Sequence, residues 1–132
     1  MKRLGAAALA LALAAPAFAD EAAPLSRGRA FEERGGEAIY SRVCAACHQP
    51  GGQGAEGAGV YPALAADPAL ASSGYVVAVL LGGLKGMPAL GAMMGDQQVA
   101  DIVNYVRSHF GNSYGDAVTA GDVEAARRAE AK

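Results

Sequence analysis

The sequence predicts an all-α domain with long loops. Three observations predict it. Several segments carry apolar residues at helical spacing, no stretch shows the apolar–polar alternation of a half-buried strand, and glycine- and proline-rich intervals separate the helical segments. The chain has 132 residues, a length that supports one domain. It is 52% hydrophobic, but it has only three Phe, five Tyr and no Trp, and much of the apolar fraction is Ala. Large side chains for a core are therefore scarce, and small domains are marginal to begin with. The composition excludes a collagen, a coiled coil and a transmembrane bundle. The length excludes a doubly wound enzyme domain with a second domain.

The chain opens with Met1-Lys2-Arg3, continues with an uncharged Leu/Ala-rich run from Leu4 to Ala15, and reaches Ala17-Phe18-Ala19 before Asp20. This is the layout of a secretory signal peptide over residues 1–19. An uncleaved anchor is the competing reading, and the run is short and Ala-rich for a spanning helix. Cleavage after Ala19 leaves 113 residues and removes two of 11 basic and none of 13 acidic side chains, for a formal charge of −4. A mildly acidic chain is a poor non-specific nucleic-acid binder. No nucleic-acid partner is expected, and no stable membrane insertion once the signal is removed.

Residues 20–29, with Pro24 and Gly28, read as a flexible leader, residues 30–114 as the domain and residues 115–132 as a C-terminal tail. A first helix is expected from about Ala30 to Ala45, where Gly36, Ile39, Tyr40 and Val43 share one face. Gly35 and Gly36 each weaken it by about 1 kcal/mol against Ala, so a packing reason is expected for them. The stretch from Gln49 to Leu70 is loop-like, with five glycines between Gly51 and Gly59 followed by Pro62 and Pro68. Alone it reads as disordered; wrapping a rigid ligand is the sharper reading.

A second helix is expected from Ser72 or Ser73, as caps, to Leu81. Tyr75, Val76, Val79 and Leu80 mark its buried face, and Gly82-Gly83 ends it. The loop Leu84 to Gly95 holds Met87, Pro88, Met93 and Met94. A third helix runs from about Asp96 to Phe110 on a stripe of Val99, Ile102, Val103, Val106 and Phe110, and Gly111 stops it. A short tail helix is expected after Thr119, with Asp122 in the capping-box position and Arg127-Arg128 at its end.

Both cysteines lie in Cys44-Ala45-Ala46-Cys47-His48, the C-x-x-C-H haem c attachment motif. Two thiols three positions apart at a helix end reach the two vinyl groups of one haem, and His48 then lies under the iron as proximal ligand. Export agrees with this reading, as do the absence of other cysteines and the methionines downstream. Three competitors stand beside it. A Cys44–Cys47 disulfide closes a tiny loop and leaves His48 without a role. A thioredoxin-like redox pair needs a βαβ setting. A zinc site from Cys44, Cys47, His48 and His109 would use adjacent Cys and His ligands awkwardly.

With these residues in view, the chain resembles class I cytochromes c of the small bacterial monohaem type, over roughly Gly36 to Asn112. The resemblance implies the cytochrome c fold: three main helices and long loops wrapped around one covalently attached haem c. Gly36 and Tyr40 match the small and aromatic residues of the family's N-terminal helix, and Ile102 and Tyr105 match the apolar–aromatic pair of its C-terminal helix. It implies that these helices cross closely, the glycine letting the backbones approach. Pro62, in Tyr61-Pro62-Ala63-Leu64, matches a proline whose carbonyl accepts a hydrogen bond from the proximal His, a partner that orients the ring and raises its basicity. A plain turn residue is the other reading of Pro62.

Gly86-Met87-Pro88-Ala89-Leu90 resembles the family's M-P segment and implies the Met87 sulfur as distal ligand. Met93 and Met94 are its rivals, lying closer to the third helix, unless they fill irregular space beside the haem. Leu90 stands where the family carries an aromatic, and the Met93-Met94 pair is a second departure. His109 reads as a rim or surface residue.

His/Met ligation leaves iron no free position, so the resemblance implies a one-electron carrier, not an enzyme. The segment His109 to Tyr114 and the Val118-Thr119 and Asp122-Val123 pairs look similar to cytochromes that accompany periplasmic dehydrogenases. The expected location is the periplasm. The expected partners are a periplasmic dehydrogenase as donor and a terminal oxidase as acceptor. A haem-based redox or gas sensor with a labile distal Met is the alternative.

Overall fold

Helix α1 covers residues 36–48 in the computed structural model, which describes residues 30–57 and 59–131; the expected signal peptide and leader lie outside the described residues. The helix is three turns in series: an α turn over Gly36–Ile39, a π turn over Tyr40–Cys44 and an α turn over Ala45–His48. The expected start at Ala30 is corrected. Gly35 has φ 79, a left-handed conformation that interrupts any helix before it. Residues 30–35 run outside the helix and are held from across the fold. The Phe31 N–H donates to the Met93 carbonyl at 2.9 Å. Gln98 Nε2 donates to the Phe31 and Glu33 carbonyls at 3.0 and 2.8 Å. The expected end at Ala45 is corrected too, since the helix continues to His48 and stops at Gln49, φ 67.

Helix α2 spans Ser73–Gly82, α3 Asp96–Ser108 and α4 Ala120–Glu130. Helix α3 is central: it packs against α1, α2 and α4. Its Val99, Ile102, Val103 and Val106 are buried with Ile39, Tyr40, Leu80 and Leu81. The helix ends two residues before the expected Phe110. Phe110 turns to φ 57 and its carbonyl accepts the Ala66 N–H at 3.0 Å, so a long-range bond replaces the last helical turn. Its ring still reaches the core, 4.6 Å from the ring centre of Tyr40.

Helix α2 begins on the Ser72 hydroxyl, which accepts the Tyr75 N–H, and ends at Gly83, φ 77. Its buried face is Val76, Val77, Leu80 and Leu81. The expected face is corrected at two positions: Tyr75 is 45% exposed and Val79 half-buried. The helix is apolar nearly all round, so spacing alone cannot fix its rotation. The glycine-rich stretch, where no strand is expected, forms a minimal antiparallel pair, β1 (Ala55–Glu56) with β2 (Val60–Tyr61), in register Ala55 to Tyr61.

Helix α4 starts on a reciprocal cap. Thr119 Oγ1 accepts the Asp122 N–H, and Asp122 Oδ2 accepts the Thr119 N–H at 2.8 Å. Val118 and Val123 enter the common core, so the C-terminal segment packs as part of it.

The expected glycine crossing is present. A Cβ on Gly36 would fall on Tyr105 Cβ and the Asp101 carbonyl oxygen, closer than real Cβ atoms approach. The obstacle is backbone and the root of a side chain, neither of which swings away. Gly36→Ala is therefore expected to destabilise by about 1–3 kcal/mol or more through overpacking, against a helix gain of at most about 1 kcal/mol. Urea unfolding of the loaded protein checks this; a raised midpoint would contradict the crossing.

Arg107 is the largest fully buried side chain, 1% exposed. Its Nε donates to the Leu70 carbonyl at 2.9 Å and Nη2 to the Ala71 carbonyl at 3.3 Å. Nη1 and Nη2 donate to the Asp116 carbonyl and Oδ1. The guanidinium holds the Asp116 carboxyl below its ordinary 3.8. A depressed carboxylate adds stability above its unfolded pKa and loses it as pH falls through the folded one. Asp116→Asn is therefore expected to be less stable than the parent at neutral pH, with the difference vanishing well below pH 3.8. Thermal melts across that range test it, and a difference independent of pH would contradict the pairing.

Candidate functional site

The last turns of α1 present Cys44, Cys47 and His48. Both thiols are free, Cys44 half-buried and Cys47 exposed. Burial, with Cys47 beside it, pushes the Cys44 thiol up to about 12, so it is protonated at neutral pH. His48 is 8% exposed, and its Nδ1 lies 2.9 Å from the Pro62 carbonyl. A carbonyl only accepts, so Nδ1 carries the proton and donates. In the neutral ring Nε2 then keeps its lone pair, the form an imidazole needs to bind a metal.

The loop carrying Pro62 is set by backbone bonds. Gly52 accepts from the Leu64 and Ala65 N–H groups at 2.7 and 2.9 Å, and the Gly54 N–H donates to the His48 carbonyl at 3.0 Å. Gly54, φ 69, lies against the Tyr61–Ala63 backbone so closely that a Cβ would sit 2.7 Å from the Ala63 nitrogen. A contact not foreseen from the sequence closes the helix end: Tyr40 Oη donates to the Gln49 carbonyl at 2.7 Å. Burial, with Cys44 and Tyr105 near it, pushes the Tyr40 hydroxyl up to about 12, so it remains a donor. Its helical register with Gly36 marked it as core; nothing in the sequence pointed to Gln49.

The methionine loop leaves α2 at Gly83. Leu84 and Met87 exchange backbone hydrogen bonds at 3.0 and 2.9 Å, and the Leu90 N–H returns to the Leu80 carbonyl at 2.9 Å. A 3-10 turn, Gly91–Met93, follows. Met87 and Met93 are partly buried against the core, whereas Met94 lies within it at 4% exposure.

The competing readings of the cysteines fare poorly. His109 is exposed, stacked on Tyr105 at 4.0 Å between ring centres, with Nδ1 2.9 Å from the Tyr105 carbonyl. Among the described residues no group of three or more His, Cys, Asp and Glu is placed to hold a metal ion, so the four residues of the zinc reading are not brought together as a ligand set. No strand precedes Cys44 among the described residues, so the redox-pair setting is missing there. Two free thiols one helical turn apart and a histidine with its Nδ1 engaged and Nε2 available fit haem c.

Residues 31–106 match the family model described as cytochrome c oxidase, cbb3-type, subunit III. The chain is 38% identical over 102 residues to cytochrome c-552 of Thermus thermophilus, covering 65% of this chain and 67% of that protein. It is 37% identical over 107 residues to the gluconate 2-dehydrogenase cytochrome c subunit of Pantoea cypripedii, covering 72% of this chain and 24% of that protein. It is 36% identical over 93 residues to the fructose dehydrogenase cytochrome subunit of Gluconobacter japonicus, covering 59% of this chain and 19% of that protein. The chain thus spans a quarter or less of the dehydrogenase subunits it matches. A matched domain over most of the helical core, together with the thiol pair and the histidine at the end of α1, makes the chain a member of the cytochrome c family, a small monohaem protein whose cofactor is covalent haem c.

Proposed function

We propose that the chain is a periplasmic one-electron carrier whose haem c is bound through Cys44 and Cys47 and ligated axially by His48 and Met87. The bound haem supplies the one-electron couple between ferric and ferrous iron. The observation that carries the reading is the His48 Nδ1–Pro62 bond, which fixes the ring tautomer and leaves Nε2 as the ligand atom. Cys44 and Cys47 anchor the group by thioether bonds, so it is not lost by dissociation. Met87, on a loop braced at both ends, would be the second ligand that holds the group, and its thioether would favour the ferrous state.

The matched dehydrogenase cytochrome subunits support a dehydrogenase as electron donor. We place the chain between such a donor and a terminal oxidase, exported by residues 1–19. Stopped-flow reduction by a periplasmic sugar- or alcohol-oxidising dehydrogenase tests the donor. Reduction no faster than without the dehydrogenase would contradict it.

The attachment has its own test. Acid–acetone extraction of the exported protein is expected to leave the haem on the polypeptide. Cys44→Ala and Cys47→Ala each leave one thioether and a lower yield of mature protein. Complete extraction from the parent would overturn the reading.

A further inference from the structure

Helix α4 reaches back to the methionine loop through one side chain. Arg127 Nη1 donates to the Gly91 carbonyl, Nη2 to the Met94 carbonyl and Nε to Asp96 Oδ1, each at 2.7 Å. The two carbonyls bracket the 3-10 turn Gly91–Met93, the return limb of the loop that carries Met87. That limb also lies against α2: a Cβ on Gly91 would sit 2.9 Å from Leu81 Cα. Val123, fully buried, anchors α4 in the core, and Arg127 reaches the limb from that helix through these bonds. The neighbouring Arg128 makes only a local pair with Glu124 and is 65% exposed. A planar guanidinium bonds two carbonyls and a carboxylate together; an ammonium on a flexible stem does not reproduce that fork.

We propose that Arg127 is a positioning residue for the distal methionine: it clamps the return limb of the Met87 loop to α4 and so keeps the axial thioether on the iron against outside ligands. The proposal rests on the His/Met reading given above. An outside ligand binds only the population in which the methionine has left, so its apparent affinity is its intrinsic affinity scaled by the open fraction. Opening that moves residues 91–94 away from α4 breaks the bonds to Arg127. Without the fork, the closed form loses those bonds and the open fraction rises.

The test is imidazole titration of the ferric holoprotein, followed by loss of the far-red methionine–iron charge-transfer band. Arg127→Gln is expected to bind imidazole about tenfold more tightly than the parent or better, as the loss of charge-assisted bonds predicts. Arg128→Gln, a surface change, is expected to stay within about twofold of the parent. Parental imidazole affinity in folded Arg127→Gln overturns the clamp while leaving His/Met ligation intact. A parent that binds imidazole as readily as Met87→Ala overturns both. Should Arg127→Gln fail to accumulate, Arg127→Lys is read in its place. It keeps the charge but not the fork, tightening of about threefold is expected, and parental affinity again overturns the clamp.

Discussion

Met87→Ala is expected to turn a closed site into an open one. The ferrous protein should then bind carbon monoxide, which the parent excludes, and the midpoint potential should fall by on the order of 100 mV or more, within the ~0.8 V range that axial ligands span. The direction follows from the ligand. A thioether stabilises ferrous iron, and water or hydroxide in its place stabilises ferric. The loop is braced for this role at both ends, by the Leu84–Met87 and Leu80–Leu90 backbone bonds on one side and Arg127 on the other. Met94 is already buried in the core and its carbonyl is occupied, so Met94→Leu is expected to leave the potential near that of the parent. Redox titration with a carbon monoxide difference spectrum separates the two variants. A low potential in Met93→Ala or Met94→Ala but not in Met87→Ala would reassign the ligand. A parent that lacks the far-red band and binds carbon monoxide tightly would favour a sensor.

A second large effect is expected from withholding the haem. Protein made without export should be largely unfolded. Among the described residues the largest fully buried side chains are Arg107, Ile39, Ile102, Val99, Val103 and Val123, an arginine and five β-branched aliphatics. Ordering each residue costs about 1–2 kcal/mol in backbone entropy alone. The described residues from Gly51 to Tyr61 bury no large apolar side chain, and Val60 and Tyr61 of the β pair are exposed. Covalent and axial bonds that exist only in the native arrangement add their energy to folding. Far-UV circular dichroism and amide dispersion of the haem-free mature chain check this. A cooperative helical fold without haem would show that side-chain packing suffices.

Much of this architecture was legible in the sequence because it is written locally. Cys44, Cys47 and His48 follow each other in one motif. Thr119 and Asp122 lie three residues apart in a capping box, and Ser72 directly precedes the helix it caps. The Gly36–Tyr105 crossing and the Pro62 carbonyl were legible only through the family resemblance, since each joins residues far apart in the chain.

What escaped was set by tertiary contacts. The onset of α1 depends on Gly35 turning left-handed while Gln98, more than sixty residues away, takes the Phe31 and Glu33 carbonyls. The rotation of α2 could not be read because its residues are apolar on every side. Arg107 and Arg127 looked like ordinary helix-end cations. Their carbonyl partners Leu70 and Gly91 lie 37 and 36 residues away, and no spacing rule connects them.

The central claim is that His48 and Met87 ligate one covalent haem. Proton NMR of the ferrous exported protein tests it most directly, because the haem ring current carries the methyl of an iron-bound methionine far upfield of every other methyl. One such resonance is predicted in the parent, in Met93→Leu and in Met94→Leu, and none in Met87→Ala. An upfield methyl that survives Met87→Ala, or a parent spectrum without one, would contradict the account.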